Sequence, residues 1–288
     1  MQARPTIVRG LLAVLFFLAI CVAMAFLVVP VIAIFTHVGP GRLLHQFSNP
    51  VVKDALVVSL KTIVAAQVVI LLLGTPTAYF LASRRFRGRS LVVTLVELPI
   101  VLPPAVAGIG LIVTFGYRQG IIGEHWPWLA NHVNFNQVAV VMAICLVSAP
   151  FYIRSGIAAF EAVDTNLVAA SRTLGASPLR TFFKVTLPLA RGGLTAGEAI
   201  CMARGLGEFG ATLMFAGSFQ GRTQTLPLAI YTVFEANFDV ALAMSALLVI
   251  LSLAILLSLK ASGLWQRARS PIVPALLPGE EARVRALR

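Results

Sequence analysis

Six long apolar runs, each about as deep as a bilayer, constrain this chain more than any other feature of it. The hydrocarbon core is about 30 Å thick, so at 1.5 Å per residue a helix needs about 20 apolar residues to cross it. The runs are Leu11–Phe35, Leu56–Ala82, Leu91–Phe115, Gln137–Ile153, Gly193–Ala216 and Ala241–Leu259. The fourth is the shortest, and its lower end is expected to continue past Arg154. The 288 residues are 58% hydrophobic and 12% charged, against roughly 25% charged for a soluble domain. Water cannot solvate that much apolar surface, whereas lipid can. The uncharged stretch Gly10–Phe35 is too long for a secretory leader, and no small-x-small cleavage site follows it. It is expected to be retained as the first span. The expected fold is therefore all-α and integral to the membrane, with six transmembrane helices.

Charge placement orients the helices. With the N-terminus in the cytosol, the inner segments carry Arg4 and Arg9; Arg84, Arg85, Arg87 and Arg89; Arg154, Arg172, Arg180, Lys184 and Arg191; and Lys260, Arg267, Arg269, Arg283, Arg285 and Arg288. The outer segments carry Arg42, Lys53, Arg118 and Arg222, with Lys61 near the interface. Seventeen inside against four or five outside predicts both termini in the cytosol. The expected organisation is a cytosolic N-terminus (1–10), a membrane domain (11–260) with an inner loop at about 154–192, and a cytosolic tail (261–288). The same asymmetry accounts for the net charge of +12. The basic residues form no face with interleaved aromatics, so a nucleic-acid partner is not expected.

Two spans carry breaks or charges that a plain anchor would not need. The third contains Glu97, Pro99, Pro103 and Pro104. Proline removes a backbone donor and clashes with the preceding turn. Such breaks persist in a membrane where protein or a water-filled cavity satisfies the freed carbonyls. The fifth span carries Glu198, Arg204 and Glu208, and ionisable groups at that depth face a bundle interior or a pathway. Arg204 and Glu208 stand at i, i+4 and are expected to neutralise each other or neighbouring charges rather than hold an anion. Gly193 and Gly197 form a G-x-x-x-G, continued by Ala203 and Gly207, with Gly205 and Gly210 beyond. Small residues at this spacing serve close helix packing. Gly193, Gly197, Arg204, Gly207, Glu208 and Gly210 are the candidate pathway or dimer-contact residues, and packing within one subunit is the equal alternative for the glycines.

The inner loop from Arg154 to Pro188 is the most informative segment. Asp164 or Thr165 can cap a short helix on which Leu167, Ala170 and Leu174 share a face. Gly175 suits the left-handed position after its end. Ser177 caps a second helix with Pro178 at its first position. That helix offers Leu179, Phe182 and Phe183, and Leu187-Pro188 is expected to end it. A helix–turn–helix of this kind either lies on the membrane surface or docks into a groove of a soluble partner.

The segment resembles the cytoplasmic loop of ABC-importer permeases, whose pattern is E-A-A-x-x-x-G-x9-I-x-L-P. It falls on Ala169-Ala170-Ser171, Gly175, Val185, Leu187 and Pro188. Ala169 stands in place of the glutamate, Ser171 in place of the third alanine and Val185 in place of the isoleucine. The resemblance implies that Ala170, Ser171, Gly175, Ala176, Ser177, Leu187 and Pro188 couple the chain to an ATPase. A second stretch, Ala203-Arg-Gly-Leu-Gly-Glu-Phe-Gly-Ala-Thr212 with Thr223-Gln-Thr-Leu-Pro-Leu-Ala-Ile-Tyr231, is similar to the molybdate/tungstate/sulfate group of these permeases, closest to its molybdate branch. That likeness implies a homodimer of this chain with two ATP-binding subunits and an external oxyanion-binding protein, in a bacterial or archaeal inner membrane. A sulfate or thiosulfate permease is the alternative within the group.

None of the four lysines follows a glycine, so a G-K-[ST] phosphate loop is absent. ATP and magnesium would therefore be held by the partner ATPase, and this chain is expected to bind no cofactor and no metal and to be no enzyme. Cys21, Cys145 and Cys201 lie apart in apolar runs without metal spacing. An ion-coupled secondary transporter is disfavoured by the inner loop and by the lack of a visible internal repeat.

Overall fold

A computed structural model describes residues 4–39, 41, 45–46, 48–116 and 120–269. Every regular element among them is helical. Helices α1 (Arg4–His37) and α2 (Pro50–Ser83) are followed by the short pair α3 (Arg89–Val101) and α4 (Pro104–Phe115). Two short helices, α5 (Ile121–His125) and α6 (Pro127–Val133), lead to α7 (Gln137–Glu161). Then come α8 (Thr165–Thr173), α9 (Pro178–Thr181), a π-helical turn (Phe182–Thr186) and α10 (Leu187–Leu206). The chain closes with α11 (Gly210–Ala216), α12 (Leu226–Phe234) and α13 (Phe238–Arg269).

Four of the expected runs are continuous helices long and apolar enough to cross a membrane: Leu12–His37, Pro50–Ser83, Gln137–Glu161 and Phe238–Ser258. The fourth run does continue past Arg154, to Glu161. The third is not one rod. Its halves, α3 and α4, meet at 114° around Leu102 and Pro103, because Pro103 and Pro104 cannot donate the bonds that would carry the helix through. The fifth begins earlier than expected, at Leu187, and breaks after Leu206. Its upper part is the separate helix α11. The last helix runs to Arg269, ten residues beyond the expected Leu259. Residues 270–288 of the tail lie outside the described residues.

The core is built on α2, α7 and α10. Gln-, Ser- and Thr-bearing faces apart, their contact surface is mostly Ala, Gly and Val, which lets backbones approach closely. Three buried clusters stack along α2. Ile63 and Ala66 pack with Ala139, Ala143, Ile144, Ala211 and Phe215. Ile70, Ala78 and Leu81 pack with Tyr152, Phe160, Leu194 and Cys201. Val52 and Ala55 pack with Leu226, Ala229, Met244 and Leu247. Helix α1 stands apart from all three: no residue in its apolar span is buried. In lipid this exposure costs nothing, since the acyl chains are as apolar as the side chains they meet.

Glycines in α7 and α10 are required by this packing. A Cβ on Gly193 would lie 2.5 Å from the Ala159 Cβ, and one on Gly156 would lie 2.8 Å from the Ala78 Cβ. Gly192, one residue before, has open space around it. Gly193→Leu is therefore expected to destabilise the chain by about 1–3 kcal/mol through overpacking, while Gly192→Leu changes stability little. Thermal unfolding of the two variants in detergent, against wild type, measures the difference.

Candidate coupling loop and pathway

The inner loop is built by local capping at every joint. The Asp164 carboxylate accepts the Asn166 N–H at 2.8 Å and opens α8. At the other end, Gly175 N–H donates to the Arg172 carbonyl (3.0 Å) and Ala176 N–H to the Ser171 carbonyl (3.1 Å). These paired bonds close a helix with a left-handed residue, and Gly175 has φ +83°. Space around Gly175 is open, so the backbone angle alone demands glycine there. The Ser177 hydroxyl accepts the Arg180 N–H at 3.3 Å, with Pro178 opening α9.

The loop has an inner and an outer surface. Val168, Phe182 and Leu187 pack against the Tyr152 and Phe160 cluster, with the Phe182 ring 4.7 Å from that of Tyr79. Ser171 and Thr181 hydroxyls meet at 3.2 Å and tie α8 to the following turn. Ala170, Gly175, Ser177 and Pro188 are exposed, and Ser171, Ala176 and Leu187 are half-buried. Leu174 (88%), Leu179 (71%) and Phe183 (60%) are the most exposed apolar residues of the loop. Beside the loop lies a cavity of about 1230 Å³, lined among others by Tyr79, Arg84, Arg89, Glu161, Arg172 and Pro178.

One expectation fails here. Leu187-Pro188 does not end a helix. The chain stays helical from Pro178 to Leu206, because the π turn takes up one extra residue, with Leu187 N–H donating to the Phe182 carbonyl five residues back. The wider turn moves the carbonyl with which the Pro188 ring would otherwise collide.

The candidate pathway residues fall into two groups. Gly193 and Gly197 face Ala159 and Ser155 of α7 in the same chain, which is the alternative of close packing within one subunit. Gly205 lies against Ile63 and Ile144. The second group forms the break. Gly207 ends α10, and a Cβ on Gly210 would lie 2.9 Å from the Pro104 Cβ. The break in the fifth span is thus packed on the break in the third.

Glu208 holds this junction together. Its side chain is 1% exposed. Oε1 accepts the Ala211 N–H at 2.8 Å and so caps α11. Oε2 lies 2.8 Å from Arg204 Nη1, in an approach too oblique for a hydrogen bond. The expected mutual neutralisation is therefore observed as an ion pair. Glu198 keeps one carboxylate oxygen buried and unpartnered. Sequence reasoning missed two ion pairs, Arg154–Glu97 at 3.4 Å and Arg89–Glu161. Both join segments far apart in sequence, so no spacing rule could find them. Arg222 is exposed beside the Gly221 turn, while Arg42 and Arg118 lie outside the described residues.

Apolar spans, a capped inner loop and two opposed helix breaks define a polytopic membrane transport protein. The comparisons with known proteins make the class specific. Residues 70–270 match the family model "binding-protein-dependent transport system inner membrane component". The molybdenum transport system permease protein ModB of Mycobacterium tuberculosis is 42% identical over 238 residues, covering 82% of this chain and 89% of that protein. ModB of Escherichia coli is 38% identical over 208 residues, covering 68% and 90%. The molybdate/tungstate permease protein WtpB of Pyrococcus abyssi is 39% identical over 193 residues, covering 66% and 72%. Among solved structures, a bacterial alginate ABC transporter in complex with its alginate-bound periplasmic protein superposes with TM-score 0.68 at 20% identity, covering 91% of this chain and 96% of its own. The inward-facing MetNI methionine ABC transporter gives 0.61 at 21%, covering 75% and 96%. The chain belongs to the family of binding-protein-dependent transport system inner membrane components. It is a permease subunit and a multi-pass plasma-membrane protein.

Arg204 is 29% exposed, and removing it leaves the buried Glu208 carboxylate uncompensated. Arg204→Met is expected to cost about 1–3 kcal/mol, less than for a fully buried pair. The double change Arg204→Met/Glu208→Gln should recover most of that loss, since glutamine can still accept the Ala211 N–H. Melting temperatures of the purified single and double variants test the pair.

Proposed function

We propose that this chain is the transmembrane subunit of an ATP-driven importer that moves molybdate or tungstate into the cytosol. It works as a homodimer with two ATP-hydrolysing subunits and an external oxyanion-binding protein, and holds no nucleotide itself. Six spans with both termini in the cytosol are part of this reading, supported by the positions of the basic residues. In it, the bent pair α3–α4 counts as one span and α10–α11 as another. The names of the relatives support the anion. Tetrahedral dianions of similar size, sulfate and thiosulfate included, are the competitors.

The observation that carries the coupling role is the set of exposed apolar side chains on the capped loop. Leu174, Leu179 and Phe183 are exposed, while Val168 and Phe182 fix the loop to the core. A surface helix would turn such residues into lipid, whereas a docking helix presents them to a groove. With the loop on the ATPase, nucleotide-driven closure moves the two permease copies as rigid bodies between outward- and inward-open states. The break at Gly207–Gly210 and its ion pair lie on the pathway side in this reading. Paired charges there let a dianion pass without a deep binding well.

Vesicles holding the permease, its ATPase and the binding protein should take up labelled molybdate and tungstate only with ATP, and labelled sulfate poorly. Uptake that ignores ATP and follows a proton or sodium gradient would refute the importer. Gly175→Pro removes the N–H given to Arg172 and forbids φ +83°. It is expected to abolish uptake while the ATPase keeps hydrolysing, and unaltered uptake would refute the docking role.

A further inference from the structure

A small space of about 10 Å³ lies between α2, the fifth-span break and the segment entering α12, lined by Ser59, Thr62, Gly205, Glu208 and Thr225 among others. All four polar residues are more than nine-tenths buried, with 6%, 1%, 3% and 5% exposure. Thr225 Oγ1 has no partner, and Glu208 Oε2 makes no hydrogen bond beside its ion pair with Arg204. The other two are half satisfied. Ser59 Oγ accepts the Leu226 N–H at 2.7 Å, which leaves its own proton to give. Thr62 gives its proton to the Val58 carbonyl at 2.7 Å and keeps lone pairs to accept.

We propose that a single ordered water molecule occupies this space and joins Glu208, Thr225, Ser59 and Thr62. The inventory matches the ligand. Two hydroxyls, Ser59 and Thr225, can donate; one carboxylate oxygen and the Thr62 hydroxyl can accept. A water has two protons and two lone pairs, and buried waters make about three such bonds in a space of this size. A monovalent cation would find four oxygens here, but Arg204 Nη1 is 2.8 Å from the same Glu208 oxygen and repels it. A dry space leaves the Thr225 hydroxyl unsatisfied, at a cost that native interiors avoid, and leaves Glu208 Oε2 with no hydrogen bond beside its ion pair.

The water adds the fifth-span break, through Glu208, to the contact that Ser59 of α2 already makes with Leu226 at the start of α12, and it engages Thr62 and Thr225 as well. It acts as a clasp on the break. The inference concerns the fold of the break and holds whichever anion is carried.

The sign of one substitution tests it. In the co-purified permease–ATPase complex, Thr225→Val keeps the shape and removes the hydroxyl. If the water is present, the melting temperature falls by about 2–4 °C, and Thr225→Ser stays closer to wild type. If the space is dry, valine removes an unsatisfied group and the melting temperature is unchanged or higher, which overturns the proposal. A wild-type melting temperature raised by sodium over choline, with the rise lost in Thr225→Val, assigns the space to a cation and overturns it equally. Should Thr225→Val fail to assemble, a wild-type structure that resolves ordered water decides. Density within hydrogen-bond distance of both Glu208 Oε2 and Thr225 Oγ1 supports the clasp, and an empty space refutes it.

Discussion

In hydrocarbon every backbone polar group must find its partner inside the protein. Two of the apolar runs in this chain are broken, and one break packs on the other. Pro104 sits against Gly210, and Gly108 against Ala211 and Met214. The first turn of α11, which would otherwise expose free N–H groups, receives the Glu208 carboxylate. The remaining helices serve as a frame for this junction. Helices α2 and α7 flank it with Ile63 and Ile144, and α10 delivers Glu208 to it. Close approach throughout depends on alanine and glycine at the contacts, because bulkier residues would hold the backbones apart.

Charges follow the same economy. Glu208 is buried, yet it satisfies a helix end with one oxygen and faces Arg204 with the other. The pairs Arg154–Glu97 and Arg89–Glu161 join α3 and α7 at two levels, through side chains that are largely exposed. Exposed pairs of this kind contribute at most about 1 kcal/mol each. Their value is geometric: they fix the bent third span against the fourth.

Much of this was legible from the residues. Apolar length located the continuous helices because lipid leaves composition as the dominant signal. The loop caps at Asp164, Gly175 and Ser177 were legible because each is a local rule with a residue type attached. The i, i+4 spacing of Arg204 and Glu208 gave their pairing. The turn at Leu102–Pro103 was visible as a proline cluster, but its 114° angle was not, since the angle is set by what α4 packs against. The direction in which Gly193 and Gly197 face was equally hidden. A G-x-x-x-G says that something comes close, not whether it is α7 of the same chain or a second copy. Long-range pairs such as Gln67 with Cys201, at 3.4 Å, leave no trace in spacing at all.

The most consequential misreading was local. Leu187-Pro188 has the look of a helix end, and a helix end there would separate the loop from the membrane core. The π turn at Phe182–Thr186 instead carries the helix past the proline. From Pro178 to Leu206 the backbone is one helical rod of 29 residues, about 43 Å at 1.5 Å per residue. One end begins at the Ser177 cap, next to the Gly175 turn. The other ends at Gly207, next to the Glu208 junction. A flexible joint at Pro188 would dissipate any displacement of the loop before it reached the break. A continuous rod, held along its length by Gly193 and Gly197 on α7, moves both ends together. The residue that most resembles a stop signal is thus accommodated by the turn that keeps the loop and the break mechanically joined.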